Sequence, residues 1–337
     1  MTNDVLLLAI HLVPGLRWNE KLTLLEQAAD EAGFLSLSPA GVERMAGRPL
    51  RNQDWKPSEL VSRAGVIMRS VLARKIRLLG YHDPAYPPQL REIYDPPFLL
   101  FCRGEIPVWD CASVAIVGTR YPSGGGRRAA WQLAAQAAEQ GLIVVSGLAR
   151  GIDGEAHRGC LEVGGRTLAV LGNGADMVFP SSHKALASRI LDSGGLIMTE
   201  YAPGAGVRKY FFPGRNRIIS GLSRAVIVAE APAKSGALIT ASYALEQGRD
   251  LYVHALGLNG ASGEGTRKLA EEGAPVVNCI DDIIHDWGGR PAAAPARMHR
   301  IAEQSSPGKN LALFLEEELA GNLTRHQGNY FRRTHDG

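Results

Sequence analysis

The sequence predicts a doubly wound α/β fold built on a mainly parallel sheet, and three observations predict it. Short runs of Val, Ile and Leu alternate with helix-period segments across residues 107–286. The runs are almost continuously apolar, as strands covered by helices on both faces must be. Glycines and other small residues cluster directly after at least four of the runs, where a strand turns into the next helix.

The expected strands are Ser113–Val117, Leu142–Val145, Thr167–Leu171, Leu196–Thr199, Ala225–Ala229 and Leu251–His254. The helical segments between and after them are Gly126–Gln140, Gly154–Val163, His183–Leu191, Asn216–Leu222, Leu238–Gln247 and Thr266–Glu272. Upstream, Leu6, Leu7, Ile10 and Leu12 follow a helical period, then Leu22, Leu24 and Leu25, then Leu60 to Ile76. Residues 1–75 are therefore expected to form a small all-helical domain. Residues 76–106, dense in Pro and Tyr and ending in the apolar Phe98–Phe101, read as an extended lead-in that packs on the domain of residues 107–286. Residues 287–308 include the Ala/Pro-rich Pro291–Arg297 and read as a linker. Residues 309–337 are a short tail with one amphipathic helix, Asn310–Leu319, and a basic end from Arg325. Such a tail is marginal as an independent domain.

Composition sets the outer bounds. The chain has 337 residues, 45% of them apolar, which excludes global disorder. The net charge of +3 excludes a histone-like polycation but says nothing about local fields. Cys102, Cys111, Cys160 and Cys279 form no CxxC pair and have no His at zinc spacing, so they read as reduced and mostly buried thiols. The apolar stretch Val5 to Val13 is interrupted by His11 and is too short to span a bilayer, so a cytoplasmic protein without membrane association is expected.

In a doubly wound sheet, ligands bind beyond the carboxyl ends of the strands. The segments there are Gly118-Thr119-Arg120, Ser146-Gly147-Leu148-Ala149-Arg150-Gly151-Ile152-Asp153, Gly172-Asn173-Gly174, Phe211-Phe212-Pro213-Gly214-Arg215-Asn216-Arg217 and Lys234-Ser235-Gly236. Glycines let backbone amides approach phosphates, and the following helix N-termini favour anions. Several such loops on one edge point to a phosphate-bearing ligand. There is no GxGxxG fingerprint and no Walker P-loop, which disfavours a dinucleotide enzyme or a P-loop ATPase, and no cofactor is expected.

Charge agrees. No acid falls between Asp110 and Glu139, where Arg120, Arg127 and Arg128 lie, nor between Glu200 and Glu230, where Arg208, Lys209, Arg215, Arg217 and Arg224 lie. Positive charge thus gathers where the glycines are, beside Tyr210, Phe211 and Phe212, as a polyanion with unstacked bases requires. Plainer readings stand beside this one. Arg127 and Arg128 could be solvated residues at a helix start, and Phe211 and Phe212 could be core. Asp153 reads as an N-cap for the helix from Gly154, Glu230 as a group that orients an Arg across the pocket, and His157 as structural. Ser146 lacks the GxSxG elbow of a serine hydrolase.

Several of these strings resemble the signature of the bacterial DNA-processing family DprA/Smf. They are Val117-Gly118-Thr119-Arg120, Ser146 to Asp153, Phe212 to Ser223 (FPGRNRIISGLS), Lys234 to Thr240 and Glu246-Gln247-Gly248-Arg249, with Tyr86-Pro87 and Pro96-Pro97 upstream. The resemblance covers residues 80–285. It implies an extended Rossmann-like domain that dimerises, binds single-stranded DNA, protects incoming DNA in natural transformation and loads RecA, with no catalytic activity. It also implies that residues 1–75 resemble a sterile-alpha-motif (SAM-like) bundle. Carried over by motif, the DNA-contact candidates are Gly118, Arg120, Ser146, Gly147, Gly174, Phe212, Arg215, Asn216, Arg217, Lys234, Ser235 and Gly236. Arg120, Arg215, Arg217 and Lys234 would engage phosphates, the Gly147 and Gly236 amides would add donors, and Phe212 would stack on a base.

Two departures stand out. The family's Pro-Gly pair after the sixth strand is replaced by His254-Ala255-Leu256-Gly257 with Asn259–Gly263 following. The tail keeps only the pattern of the last helix, Leu313–Leu319, and the wing, Gly328 to Arg333, of a degenerate winged helix. A rival reading is a nucleotide-binding or nucleotide-hydrolysing Rossmann-like enzyme with Glu230 or Glu246 as acid or base. It lacks the expected PGGxGTxxE-like stretch, whose place Ala233 to Thr240 takes. A third reading is a scaffold for RecA on which DNA is a bystander.

Overall fold

The computed structural model describes residues 2–50, 54–109, 112–289, 299–300, 323–326 and 329–332. Residues 1–289 form one compact unit and residues 290–337 a second.

The first unit opens with five helices, α1 (Thr2–His11), α2 (Trp18–Ala28), α3 (Glu31–Leu35), α4 (Pro39–Ala46) and α5 (Pro57–Ala73). The periodic segments expected from the sequence are α1, α2 and α5. The helices α3 and α4 are too short to show a period but carry side-chain caps. Asp30 accepts from the Gly33 amide at 2.7 Å, and Ser38 accepts from Gly41 at 3.1 Å ahead of Pro39.

The segment after α5 is more than an extended lead-in. It supplies β1 (Arg77–Gly80), α6 (Pro88–Arg91) and β2 (Leu99–Gly104). β2 pairs antiparallel with both β1 and β6 (Leu196–Thr199), so residues 77–104 extend the sheet by two edge strands. One face of β2, through Leu99 and Phe101, and Phe98 just ahead of the strand share a core with Leu6, Leu24, Phe34 and Leu60 of the helices. The helical region and the sheet are joined by buried apolar surface.

The remaining elements alternate as the sequence predicts. They are β3 (Ser113–Gly118), α7 (Gly124–Glu139), β4 (Ile143–Ser146), α8 (Ile152–Glu162), β5 (Thr167–Val170), α9 (Lys184–Asp192), β6, α10 (Phe211–Gly221), β7 (Ala225–Glu230), α11 (Gly236–Glu246), β8 (Asp250–His254), α12 (Glu264–Glu271), β9 (Val276–Val277) and α13 (Ile280–Asp286). The nine-stranded sheet runs β1-β2-β6-β5-β4-β3-β7-β8-β9, parallel from β6 to β9. Successive residues of each strand point to opposite faces. Val114, Ile116, Val144 and Ile227 pack on α7, α8 and α13, whereas Ala115, Val117, Val145 and Val228 pack on α10 and α11. Strand order reverses between β3 and β7, which opens a crevice at their carboxyl ends.

The sequence places the helix after the fourth strand at Asn216–Leu222, but α10 begins five residues earlier, at Phe211. That shift changes which side chains reach the crevice.

The thiols of Cys102 and Cys160 are buried, and burial pushes each up to about 12. Cys279 is half-buried, and Cys111 lies outside the described residues. Among the described residues no helix is long and apolar enough to cross a membrane.

In the second unit, β10 (His299–Arg300), β11 (Leu323–His326) and β12 (Asn329–Arg332) form an antiparallel sheet ordered β10-β12-β11. The expected wing falls on β12. The expected linker, Pro291–Arg297, and the tail helix, Asn310–Leu319, lie outside the described residues.

Candidate nucleic-acid interface

At the switch point lies a cleft of about 580 Å³. Its floor is the end of β3, with Val117 and Gly118. One wall is the helix face of Phe212, Arg215, Asn216 and Ile219, and the other is Lys234-Ser235-Gly236 at the start of α11. Those four α10 residues are spaced i, i+3, i+4, i+7, one stripe of a helix. Exposed Arg120, Lys209 and Lys234 border the cleft, and none forms an ion pair among the described residues. The Arg120 guanidinium lies over the Phe212 ring, 5.3 Å from its centroid. Ser235 caps α11 by accepting from the Ala237 amide at 3.2 Å, and its carbonyl accepts from Leu238, which leaves the Gly236 amide as the first-turn donor without an acceptor among the described residues.

Arg215 is the deepest cation. Its Nη1 donates to the carbonyls of Gly147, at 2.8 Å, and Val170, while Nε donates to Asn216 Oδ1 at 3.2 Å. Burial brings it down to about 10, with Asp153 opposing that shift, so it stays charged at neutral pH. The close approach explains Gly147: a Cβ there would stand 2.3 Å from Arg215 Nη1. Gly151 is required on two counts, a φ of +76° and a Cβ that would lie 2.3 Å from the Thr119 carbonyl. Asn216 Nδ2 in turn donates to the Gly236 carbonyl at 3.2 Å, tying α10 to the rim of α11.

Several sequence candidates are placed elsewhere. Arg217, two residues from Arg215, points about 200° around the helix. Its Nη1 and Nη2 donate to the two carboxylate oxygens of Glu200, each at 2.7 Å, and its Nε to Asp95 Oδ2 at 2.9 Å. Burial alone would lower this guanidinium, but Glu200 and Asp95 outweigh it and hold it above the usual arginine value. Ser146 is fully buried and donates to the Ile116 carbonyl at 2.7 Å. Gly174 is buried with its amide on the Ala205 carbonyl at 2.8 Å. Asp153 accepts from the Ala149 amide at 3.4 Å. Asp153 is therefore no N-cap; Gly151 holds that position, and Asp153 sits inside α8 and pins the loop ahead of it. Burial raises this carboxyl, with the Arg215 charge working against the shift.

Glu230 does not orient an arginine. It is fully buried and accepts from the Ser123 amide at 2.9 Å and hydroxyl at 3.1 Å, and from the Ser262 hydroxyl. It thereby anchors the start of α7. Glu246 ends α11, at the opposite terminus from the cleft. Arg127 approaches Glu155 at 3.7 Å, the solvated pair that its place at a helix start suggests. Phe211 stacks on Tyr201 at 3.8 Å between centroids. The loop after β8 turns back: Gly257 packs so tightly on β7 that a Cβ would clash with the Ala229 carbonyl.

Residues that sequence reasoning passed over also border the site. Tyr121, 79% exposed, follows Arg120 directly, and Lys209 was noted only as part of a charge run. An aromatic immediately after the glycine turn at a strand end was the available signal for Tyr121.

The loop carries a buried strut. Leu148 adopts φ +55°, which is strained for a leucine. Its amide donates to His157 Nε2 at 3.3 Å, and its carbonyl lies 3.0 Å from His183 Nδ1. His157 Nδ1 meets Thr167 Oγ1 at 2.7 Å, so this histidine is structural. Burial lowers His157 to about 3, and it lowers His11, whose Nδ1 has no hydrogen-bond partner among the described residues, to about 3 as well. Both stay neutral in the fold yet take up a proton near pH 6.5 when unfolded. Stability is full above that pH and falls as the pH drops toward 3, at about 1.4 kcal/mol per unit for each histidine. Urea unfolding at pH 7 and pH 5.5 is expected to differ by about 2.5 kcal/mol. An unchanged stability would mean that both histidines are solvated, and about half the difference would mean that one is.

The model of the family "DNA recombination-mediator protein A" matches residues 77–288, well over half of the chain. The chain belongs to that family. DNA processing protein DprA of Streptococcus pneumoniae is 42% identical over 205 residues, which span 61% of this chain and 72% of that protein. Protein Smf of Escherichia coli is 41% identical over 201 residues, 60% of this chain and 54% of that protein. Its remaining length is not matched. The crystal structure of the Streptococcus pneumoniae protein superimposes with a TM-score of 0.68 at 35% identity, covering 85% of this chain and 98% of that one. DNA processing protein A of Helicobacter pylori, known in a single-stranded DNA binding mode, superimposes with a TM-score of 0.57 at 30% identity, covering 63% and 95%. The mixed sheet and the Rossmann-like order are those of this family.

Proposed function

We propose that this recombination-mediator family member binds single-stranded DNA in the switch-point cleft, with no catalytic step. One observation carries the reading. Three unpaired cations, Arg120, Lys209 and Lys234, and a helix N-terminus surround a cleft whose wall presents Phe212. Lys234, Arg120 and Arg215 meet backbone phosphates, and Ser235 and Gly236 supply amide donors, with Gly118 on the cleft floor, where a side chain would clash with Ile152 and the Glu230 carbonyl. Phe212, already backed by Arg120, stacks on a base. Nothing in this set reads base edges in the manner of a sequence-specific protein, so affinity is weakly sequence-dependent and steeply salt-dependent. The single-stranded DNA binding described for the Helicobacter pylori relative supports the same reading here. As the family resemblance implies, the protein acts as a homodimer that protects incoming DNA and passes the strand to RecA in the cytoplasm. Two clefts per dimer would raise affinity through effective concentration.

The test is fluorescence anisotropy of labelled oligo-dT against the full chain at two salt concentrations. Tight binding that weakens steeply with salt is the expected result. Phe212→Ala should weaken binding about tenfold, one base stack, with an unchanged salt dependence. A Phe212→Ala protein that binds like the parent removes the stack from the mechanism. Absence of binding by the folded protein at low salt would refute the reading and turn attention to nucleotides.

A further inference from the structure

Beside the main cleft, and sharing Arg120, Tyr121 and Phe212 with it, lies a second cavity of about 240 Å³. We infer that this cavity takes one unstacked base of the bound strand and favours guanine. The inference rests on the single-stranded DNA reading above and adds a pocket to it.

The walls argue for a base. Phe179 comes from the segment between β5 and α9, downstream of the Gly172-Asn173-Gly174 that the glycine pattern marked, and its ring stands 6.0 Å from that of Phe212. Phe179 is 40% exposed and Tyr121 79%, so both present ring surface that the fold itself does not cover. The volume is below the roughly 300–1,000 Å³ of drug-sized pockets, which suits a single ring system.

The backbone donors argue against a phosphate held by the loop itself. A phosphate pocket on a glycine loop uses free backbone amides. Here the Ala149 amide is already given to Asp153 and the Leu148 amide to His157. With Arg120 given to the backbone of the strand, the side-chain donors that remain are the Arg150 guanidinium and the hydroxyls of Tyr121 and Ser181. Guanidinium groups have no acceptor, so they select a base edge made of acceptors. Guanine, with O6 and N7 side by side, is the best match to arginine.

The experiment uses the shortest oligo-dT that the full chain binds completely, with one abasic residue walked along it. One position is expected to lose about tenfold in affinity when abasic, more than its neighbours. Phe179→Ala should bind the intact strand about tenfold more weakly and show no further loss at that position. Its salt dependence should match the parent, since no phosphate contact is removed, and Phe179→Trp should restore binding. A single dG at that position should tighten binding, and Arg150→Ala should abolish the gain. Tight binding with no position singled out overturns the pocket and leaves the main reading standing. A shallower salt dependence in Phe179→Ala overturns it in favour of a phosphate occupant, and no gain from dG overturns the guanine preference. Failure of the folded parent to bind oligo-dT overturns both readings together.

Discussion

Replacing Arg120 and Lys234 together by glutamate is expected to weaken binding to oligo-dT by about a hundredfold at physiological salt while leaving the fold intact. The two residues flank the cleft from β3 and from α11, so a strand crossing the cleft meets both. Each reversal removes an attraction and adds a repulsion at a phosphate. Two such changes together amount to about 3 kcal/mol. With two phosphates no longer neutralised by the protein, the slope of log affinity against log salt should fall by about 1.4. Neither side chain is buried or ion-paired among the described residues, so urea midpoints should be unchanged. An unaltered affinity would move the strand off this cleft, with the basic tail from Arg325 the next place to look.

Arg217→Ala has the other large effect, and its effect is on stability. Arg217 is only 10% exposed and its partner Glu200 18%. Removing the guanidinium leaves a nearly buried carboxylate unpaired, which costs about 3–5 kcal/mol. That is a large part of the roughly 5–15 kcal/mol that holds a domain folded. Arg217→Ala should therefore unfold at much lower urea. A double variant, Arg217→Met with Glu200→Gln, should recover much of the loss because no charge is stranded. Circular dichroism during urea titration reads this directly. Arg217→Ala with parental stability but lost DNA binding would show that this arginine leaves Glu200 for the strand. Reduced binding in any Arg217 variant has to be measured beside its stability, because partial unfolding lowers binding too.

The two arginines of the Phe-Pro-Gly-Arg-Asn-Arg motif mark the limit of the sequence. In one dimension Arg215 and Arg217 are equivalent: the same residue type, two apart, beside aromatics and glycine. The sequence starts the helix at Asn216, which leaves Arg215 just ahead of it and Arg217 in its first turn, and from there either could reach a ligand. In the folded chain α10 already begins at Phe211, with Pro213 in its first turn, where the missing amide is no loss. The helix then assigns Phe212, Arg215 and Asn216 to the cleft and Arg217 to the opposite side. Glu230 is a similar case. A carboxylate after a strand at a ligand edge suggests contact with a cation, yet its partners, Ser123 and Ser262, are 107 and 32 residues away and no local pattern marks them.

The sequence by itself determined the alternation of strands and helices, their order, and the edge of the sheet at which the glycine-rich turns gather. These follow from local apolar periodicity and from glycines placed where strands become helices, both written along the chain. It also determined the excess of positive charge at that edge, since the acid-free stretches are contiguous. Only the tertiary structure decided that residues 77–104 enter the sheet as antiparallel edge strands, because their partner Leu196–Thr199 lies about a hundred residues on. Only it decided which cations stay free for a ligand and which are neutralised inside. That choice depends on helix phase and on carboxylates such as Asp95, 122 residues from Arg217, whose approach no local pattern encodes.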